Sequence, residues 1–433
     1  MLRQTLARSS TISARRRQRR SVFGGVAFAL ALAATLTTIS IRGPGAPSSG
    51  SAQAQTGSKG STWSLVSDVS AGWQVLPGPP EASGLPTAQL TCPTASTCYA
   101  LGVVSNASPS SSVPGSPPDD AIETTTDGGQ TWSPVTLPAA ISGSRISCLS
   151  ATACSLLGIG AEGGSVFYQT TDGGRTWPSA TGPSQLSSND FVGGLACTTA
   201  TRCTAVAIPH LVRVGSGDIL SLATTDGGKT WSQGSFPAGF TGGPDGLTCS
   251  SPEDCVVVGS TNGFPGGGAG AAYSRDGGAT WTSSSVPSGA SGLHALSCSS
   301  SFCIASSLSP GPSTVRSILT SNDGGATWSE VTTTGLASDV MPLAASFSCP
   351  TSTDCWTAGT VPAPGSGSAV QIGDAQGLLA QSLDGGHTWQ DSQLPSTVHA
   401  VMSVSCPTAS DCYALAIVGS GNGLGFGLLA ERG

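Results

Sequence analysis

One eight-residue segment recurs six times along the chain. It is Thr125-Thr126-Asp127-Gly128-Gly129-Gln130-Thr131-Trp132, with counterparts ending at Trp177, Trp231, Trp281, Trp328 and Trp389. The shared skeleton is Ser/Thr-x-Asp-Gly-Gly-x-Thr-Trp. No other feature restricts the fold so tightly, because self-similarity at a fixed spacing means one supersecondary unit stacked many times. Each copy reads as a hairpin turn. The Asp carboxylate can accept N–H groups of its own loop, the two glycines take positive φ, and Thr-Trp opens the next strand with the indole over the turn.

A second motif alternates with the first. Cys92 and Cys98, Cys148 and Cys154, Cys197 and Cys203, Cys249 and Cys255, Cys298 and Cys303, Cys349 and Cys355, and Cys406 and Cys412 form seven close pairs that use all 14 cysteines. Short apolar runs flank each pair, as in Leu293 to Ser297 and Tyr413 to Val418, which reads as strand, tight turn, strand. A zinc site would want shorter C-x2-C spacing and pairs brought together, whereas each pair here stands in its own repeat. The expectation is seven disulfides, with no metal and no cofactor, in an oxidising compartment.

The unit is therefore strand A, cystine turn, strand B, a variable loop, strand C, octapeptide turn, strand D. First cysteines stand at 92, 148, 197, 249, 298, 349 and 406, and four short strands per roughly 50 residues make one propeller blade. The octapeptide resembles the Asp box, or bacterial neuraminidase repeat, of β-propellers, and the fold expected is an all-β, seven-bladed propeller with a cystine hairpin in each blade. Seven cystine turns against six boxes imply a split closing blade. Gly427-Leu428-Leu429-Ala430-Glu431-Arg432 parallels Gly377 to Ser382 before the sixth box, so the last blade ends on strand C. Trp73-Gln74-Val75-Leu76-Pro77 reads as the strand D that completes it. The domain boundaries expected are 1–54 for targeting, 55–72 for a linker and 73–433 for the propeller.

Composition supports export. Only 9% of residues are charged, and eight arginines lie before residue 55, where there is no acid. Nine cations against 24 acids then leave the remainder near −15, with no basic surface for nucleic acid. Arg15 to Arg20 followed by the uncharged stretch 21–41 reads as an export signal or as an N-terminal membrane anchor. Either places the propeller outside the cytoplasm, as a secreted or surface-tethered monomer.

Both kinds of turn fall on one face, so function is expected on the other, where the B–C and D–A loops vary in length. The box aspartates Asp127, Asp172, Asp226, Asp276, Asp323 and Asp384 are read as structural. Candidate loop-face residues are Asp120, Asp190, His210, Arg213, Asp218 and Asp374, and Asp119, Asp245, His294 and His399 share that face. Resemblance to sialidases would imply three arginines and a tyrosine nucleophile. Arg145, Arg213 and Arg316 lie outside the turns, but Tyr99, Tyr168, Tyr273 and Tyr413 all stand at the turn end of their strands, and Arg145-Ile146-Ser147 departs from Arg-Ile-Pro. Resemblance to xyloglucanase-type propellers would imply an acid pair for inverting hydrolysis, although those enzymes join two propellers. Resemblance to the photosystem II assembly and stability factor family implies a single non-catalytic propeller, without that family's basic patch. The function expected is a non-catalytic binding or scaffold propeller for a protein or glycan, the alternative being an Asp-box glycoside hydrolase.

Overall fold

The computed structural model describes residues 61–69, 88–103, 120–187, 190–209, 219–238, 240, 243–261, 268–308, 317–336, 346–361, 372–420 and 423–432. All belong to one compact unit, Ser58–Gly433. Residues 1–54, the apolar stretch 21–41 and Trp73 to Pro77 lie outside the described residues. Among the described residues no helix is long and apolar enough to cross a membrane.

Twenty-eight strands among the described residues form seven four-stranded sheets. The innermost strands A are Gln89–Thr91, Ile141–Cys148, Phe191–Cys197, Pro244–Cys249, Ser291–Ser299, Ser346–Ser348 and Val398–Ser405. Each touches the strand A before and after it, and the first touches the last, so the ring is closed. Strands B are buried throughout, as in Cys255–Ser260, whose Val256-Val257-Val258 run lies between neighbouring blades. That is why they read as continuous stretches of apolar and small residues rather than alternating ones. In the first six blades strands D are two or three residues long and mostly exposed, as in Ser133–Pro134, where proline costs no ladder bond. The core lies between blades: Leu157 and Phe167 of the second blade pack with Leu195, Ala205 and Leu222 of the third.

All seven disulfides read from the sequence are present. They join Cys92 to Cys98, Cys148 to Cys154, Cys197 to Cys203, Cys249 to Cys255, Cys298 to Cys303, Cys349 to Cys355 and Cys406 to Cys412, with Cα–Cα of 4.0–4.1 Å. In each blade the second cysteine (Cys98 in the first, Cys154 in the second, Cys303 in the fifth) stands at or beside the start of strand B, across the turn from the end of strand A. The pair Cys148 and Cys154 and the pair Cys298 and Cys303 are directly opposed in the ladder. Loop closure over so short a span stabilises by roughly 2 kcal/mol per bridge.

The closing strand differs from expectation. Thr62–Asp68, inside the span read as a linker, pairs antiparallel with Gly423–Arg432 and completes the seventh blade. The reason lies in the box. Ser61-Thr62-Trp63 occupies the x-Thr-Trp positions of a seventh octapeptide: Trp63 N–H donates to the Gln393 carbonyl at 3.0 Å, as Trp389 donates to Thr334 at 2.8 Å. Trp63 is buried and meets Trp356 edge to face at 5.2 Å. On the other strand, Glu431 N–H donates to the Cys412 carbonyl, whereas Ser382 stands opposite Cys355. Glu431, not Arg432, therefore takes the position of the box serine. The run Gly427 to Arg432 is offset by one residue from its apparent parallel in the sixth blade.

Candidate functional site

The two kinds of turn share one face and are bonded to each other. In every box the first glycine N–H donates to the carbonyl of its own blade's cystine turn, from Gly128 to Ser96 (2.9 Å) through to Gly385 and Thr353 (3.0 Å). Both box glycines are left-handed, at φ 70° and 87° for Gly128 and Gly129. The Asp127 carboxylate takes the Thr125 hydroxyl (2.8 Å), the Thr131 N–H (2.9 Å) and the Thr131 hydroxyl (2.5 Å). The same set recurs at Asp172, Asp226, Asp276, Asp323 and Asp384. Hydrogen bonds from Thr131, Thr176 and Thr230 hold Asp127, Asp172 and Asp226 down to about 2. Acceptors so fully engaged are turn anchors. Four of the six indoles close their own turns as expected, Trp177, Trp281, Trp328 and Trp389 each donating Nε1 to the carbonyl of the second box glycine at 2.9–3.1 Å, while Trp132 donates to the Ser67 hydroxyl. Tyr99 and Tyr413 also act on this face, donating to the Ala151 and Ala95 carbonyls of the adjoining blade.

On the opposite face the candidates separate. Asp120 opens strand C of the first blade and accepts the Ser144 N–H (2.7 Å) and hydroxyl (2.5 Å) of the second. Asp190 is buried and caps its own turn through Ser187 N–H and hydroxyl, at 2.7 and 3.1 Å. Asp374 sits exposed in a one-turn 3-10 helix, Ile372–Asp374. His210, Arg213 and Asp218 lie outside the described residues, as do Asp119 and Arg316.

The structure gathers a different group. Arg145, Asp245 and His294 lie three to four residues before the first cysteine of the second, fourth and fifth blades, on the inner strands that surround the axis, Arg145 just past the middle of its strand and the other two nearer the loop face. His294 Nδ1 stands 3.2 Å from Asp245 Oδ2. Arg145 donates to the Ser144 carbonyl (3.0 Å) and the Gly193 carbonyl (3.4 Å) and lies 5.0 Å over the Phe191 ring. Burial pulls its guanidinium down from the usual value, opposed by the charges of Asp120 and Asp245. Burial in the channel wall pushes the Asp245 carboxyl up to about 7, and the positive charge of Arg145 only partly offsets it. The side chain still keeps 38% of its surface exposed.

Bulges aim this group. Strand A slips register between Pro244 and Gly246, which leaves Asp245 outside the ladder, and again between His294 and Leu296. Ala295, in the second slip, is left-handed at φ 48°, a conformation that costs a non-glycine residue about 1 kcal/mol. Asp245 and His294 were visible in the sequence as single loop-face residues, and Arg145 as an arginine outside the turns. Nothing in their spacing announced that they meet, because the contact depends on ring closure and on bulges.

The geometry defines a class: the chain is a seven-bladed β-propeller built with BNR/Asp-box repeats. The BNR/Asp-box repeat family matches residues 123–134, the first of the six boxes. No curated protein matches in sequence. Among solved structures, YCF48 from Cyanidioschyzon merolae is 14% identical, with a TM-score of 0.51 over 86% of this chain and 98% of that one. The Niastella koreensis GH74 enzyme is 16% identical, with a TM-score of 0.52 over 84% of this chain and 55% of the enzyme, so this chain spans about half of it. Trypanosoma rangeli sialidase in complex with the inhibitor DANA is 14% identical, with a TM-score of 0.41 over 79% of this chain and 54% of that one. For YCF48 and the GH74 enzyme, at these identities, the likeness is one of fold.

Proposed function

We propose that the chain is an extracytoplasmic, non-catalytic propeller that binds a protein or glycan through its loop face. The observation that carries this reading is the pairing of Asp245 with His294 on adjoining inner strands, with the charge of Arg145 from a third blade acting on Asp245, while the box aspartates are consumed by their own turns. Seven disulfides support an oxidising location. Fold neighbours include both YCF48 and a GH74 enzyme, so the fold is compatible with binding and with hydrolysis alike. One feature favours the hydrolytic alternative: a carboxyl held at about 7 suits a general acid. Against it, the nearby Asp120 is committed to Ser144, and among the described residues no carboxylate is paired with Asp245.

Charge reversal separates the faces. Asp374→Arg, on the exposed loop face, should reduce partner capture by the folded chain at least about tenfold, whereas Asp411→Arg in a cystine turn should leave capture unchanged. The opposite pattern would refute loop-face binding. Release of reducing sugar from β-glucans, abolished by Asp245→Asn, would establish the alternative.

A further inference from the structure

Between blades, on the side of the turns, single carbonyl oxygens gather donors from two blades. At the seam into the fourth blade the Gly278 carbonyl accepts Trp281 Nε1 (3.1 Å) and the Ser221 hydroxyl (2.8 Å). At the seam into the fifth the Gly325 carbonyl accepts Trp328 Nε1 (3.0 Å) and the Ser284 hydroxyl (2.5 Å). The seam into the seventh blade repeats the donors. Gln393 N–H donates to the Ser61 carbonyl and Trp63 N–H to the Gln393 carbonyl, both at 3.0 Å, the same pair of bonds that Ser285 makes with Ala326 and Trp328. Trp63 thus stands in the place of Trp328. Ser392, which follows Trp389 as Ser284 follows Trp281, stands in the place of Ser284, and each donates its N–H to its own strand C, at Leu379 and Ala271. The acceptor has no counterpart among the described residues. Trp63 Nε1, Ser392 Oγ and Trp356 Nε1 are three of the seven buried side-chain polar atoms that find no hydrogen-bond partner there. Trp63 is 2% exposed and Trp356 0%. An indole N–H can only donate, so each is left with the cost of an unmade bond.

We propose that the turn-face end of the seam between the sixth and seventh blades is a binding slot for a neutral main-chain carbonyl presented by a glycine, held by Trp63 Nε1 and the Ser392 hydroxyl. The oxygens that fill the equivalent places at Gly278 and Gly325 are peptide carbonyls. Glu431 stands opposite Trp63 in the ladder, so an anion would meet a carboxylate. Room restricts the residue to glycine. A methyl group on Gly278, Gly325 or Gly386 would lie 2.5–3.0 Å from Thr204, Val256 or Ile304, each the residue after a second cysteine. At this seam that position holds the larger Trp356, whose ring meets Trp63 at 5.2 Å. Two sources carry the chemistry. One is the chain itself: Gly60, outside the described residues, precedes Ser61-Thr62-Trp63 as the second glycine precedes x-Thr-Trp in all six boxes. The other is a glycine turn of a partner polypeptide. The slot lies on the turn face and stands apart from the loop-face reading.

The Trp63 indole N–H of the full chain, isotopically labelled, reports occupancy of the slot. With Gly60 as the source, Gly60→Val, whose added carbons meet Trp356, should move that resonance upfield and speed its exchange with solvent about tenfold, as expected for one lost hydrogen bond. Ser392→Ala should do the same more weakly. The Trp177 indole N–H, bonded within its own box, should hold still in both. With a partner as the source, Gly60→Val leaves the Trp63 resonance unmoved, and acetyl-glycyl-glycine amide added to the wild-type chain shifts it saturably. Acetyl-valyl-valine amide should not. A Trp63 N–H that answers neither to Gly60→Val nor to the glycine peptide overturns the slot, as does an equal answer to the valine peptide or an undiminished one in Ser392→Ala.

Discussion

At the scale of single residues the molecule treats aspartate in two opposite ways. Asp127, Asp172 and Asp226 are surrounded by donors and held near 2, whereas burial raises Asp245 to about 7, the charge of Arg145 only partly offsetting it. The two environments give opposite pH dependence. A box aspartate binds fewer protons folded than unfolded, so its contribution is complete above about pH 4 and is lost as pH falls through 2. Asp226→Asn should therefore lower Tm at pH 6 and cost much less at pH 2; an equal loss at both would contradict the turn-anchor role. Asp245 binds more protons folded, so it weakens the fold increasingly as pH rises from about 4 through 7. Asp245→Asn should raise Tm at pH 8 by at least about 2 °C and leave it unchanged near pH 4. A residue that costs stability at working pH is what a binding site requires and a framework residue does not. A drop in Tm at pH 8 would assign Asp245 to the framework.

At the scale of elements, much of the joinery between blades is written in the sequence beside the cysteines. Ser147, Ser297, Ser348 and Ser405 each precede a first cysteine. Their hydroxyls accept the N–H of Cys197, Cys349, Cys406 and Cys92 in the adjoining blade, at 2.9–3.0 Å. Each ties one strand A to the next, where no backbone ladder runs between sheets. Ser147→Ala leaves the Cys197 N–H without its acceptor and should cost about 1–3 kcal/mol, measured by denaturant unfolding; a loss under about 0.3 kcal/mol would show that water replaces the hydroxyl. The strand order, the cystine hairpins and the Asp-box turns were all legible, because each depends on residues within about eight positions of one another. The bulges at Asp245 and Ala295 were not. A register slip depends on what the neighbouring inner strand presses against it, and the sequence of one strand does not carry that.

At the scale of the whole molecule, ring closure decides which residues belong to the domain. Trp63, spare in a reading that used Trp73 as the closing residue, proved to be the seventh blade's own box tryptophan, and its counterpart strand lies more than 360 residues away. A chain beginning at Ser58 should fold with the cooperativity and Tm of the full chain. One beginning at Val69, which keeps Trp73 but removes Thr62–Asp68, should lose cooperative unfolding, as judged by calorimetry. If that shorter chain melted like the full one, Trp73 would be the closing residue after all. By itself the sequence determined the repeat, the blade count, the disulfide pairing and the face on which loops vary, since these follow from short-range turn chemistry copied around a ring. The tertiary structure alone decided which strand closes that ring and that Asp245 meets His294 within the field of Arg145 around its axis. Residues 49 to 149 positions apart become neighbours only when every blade between them has been packed.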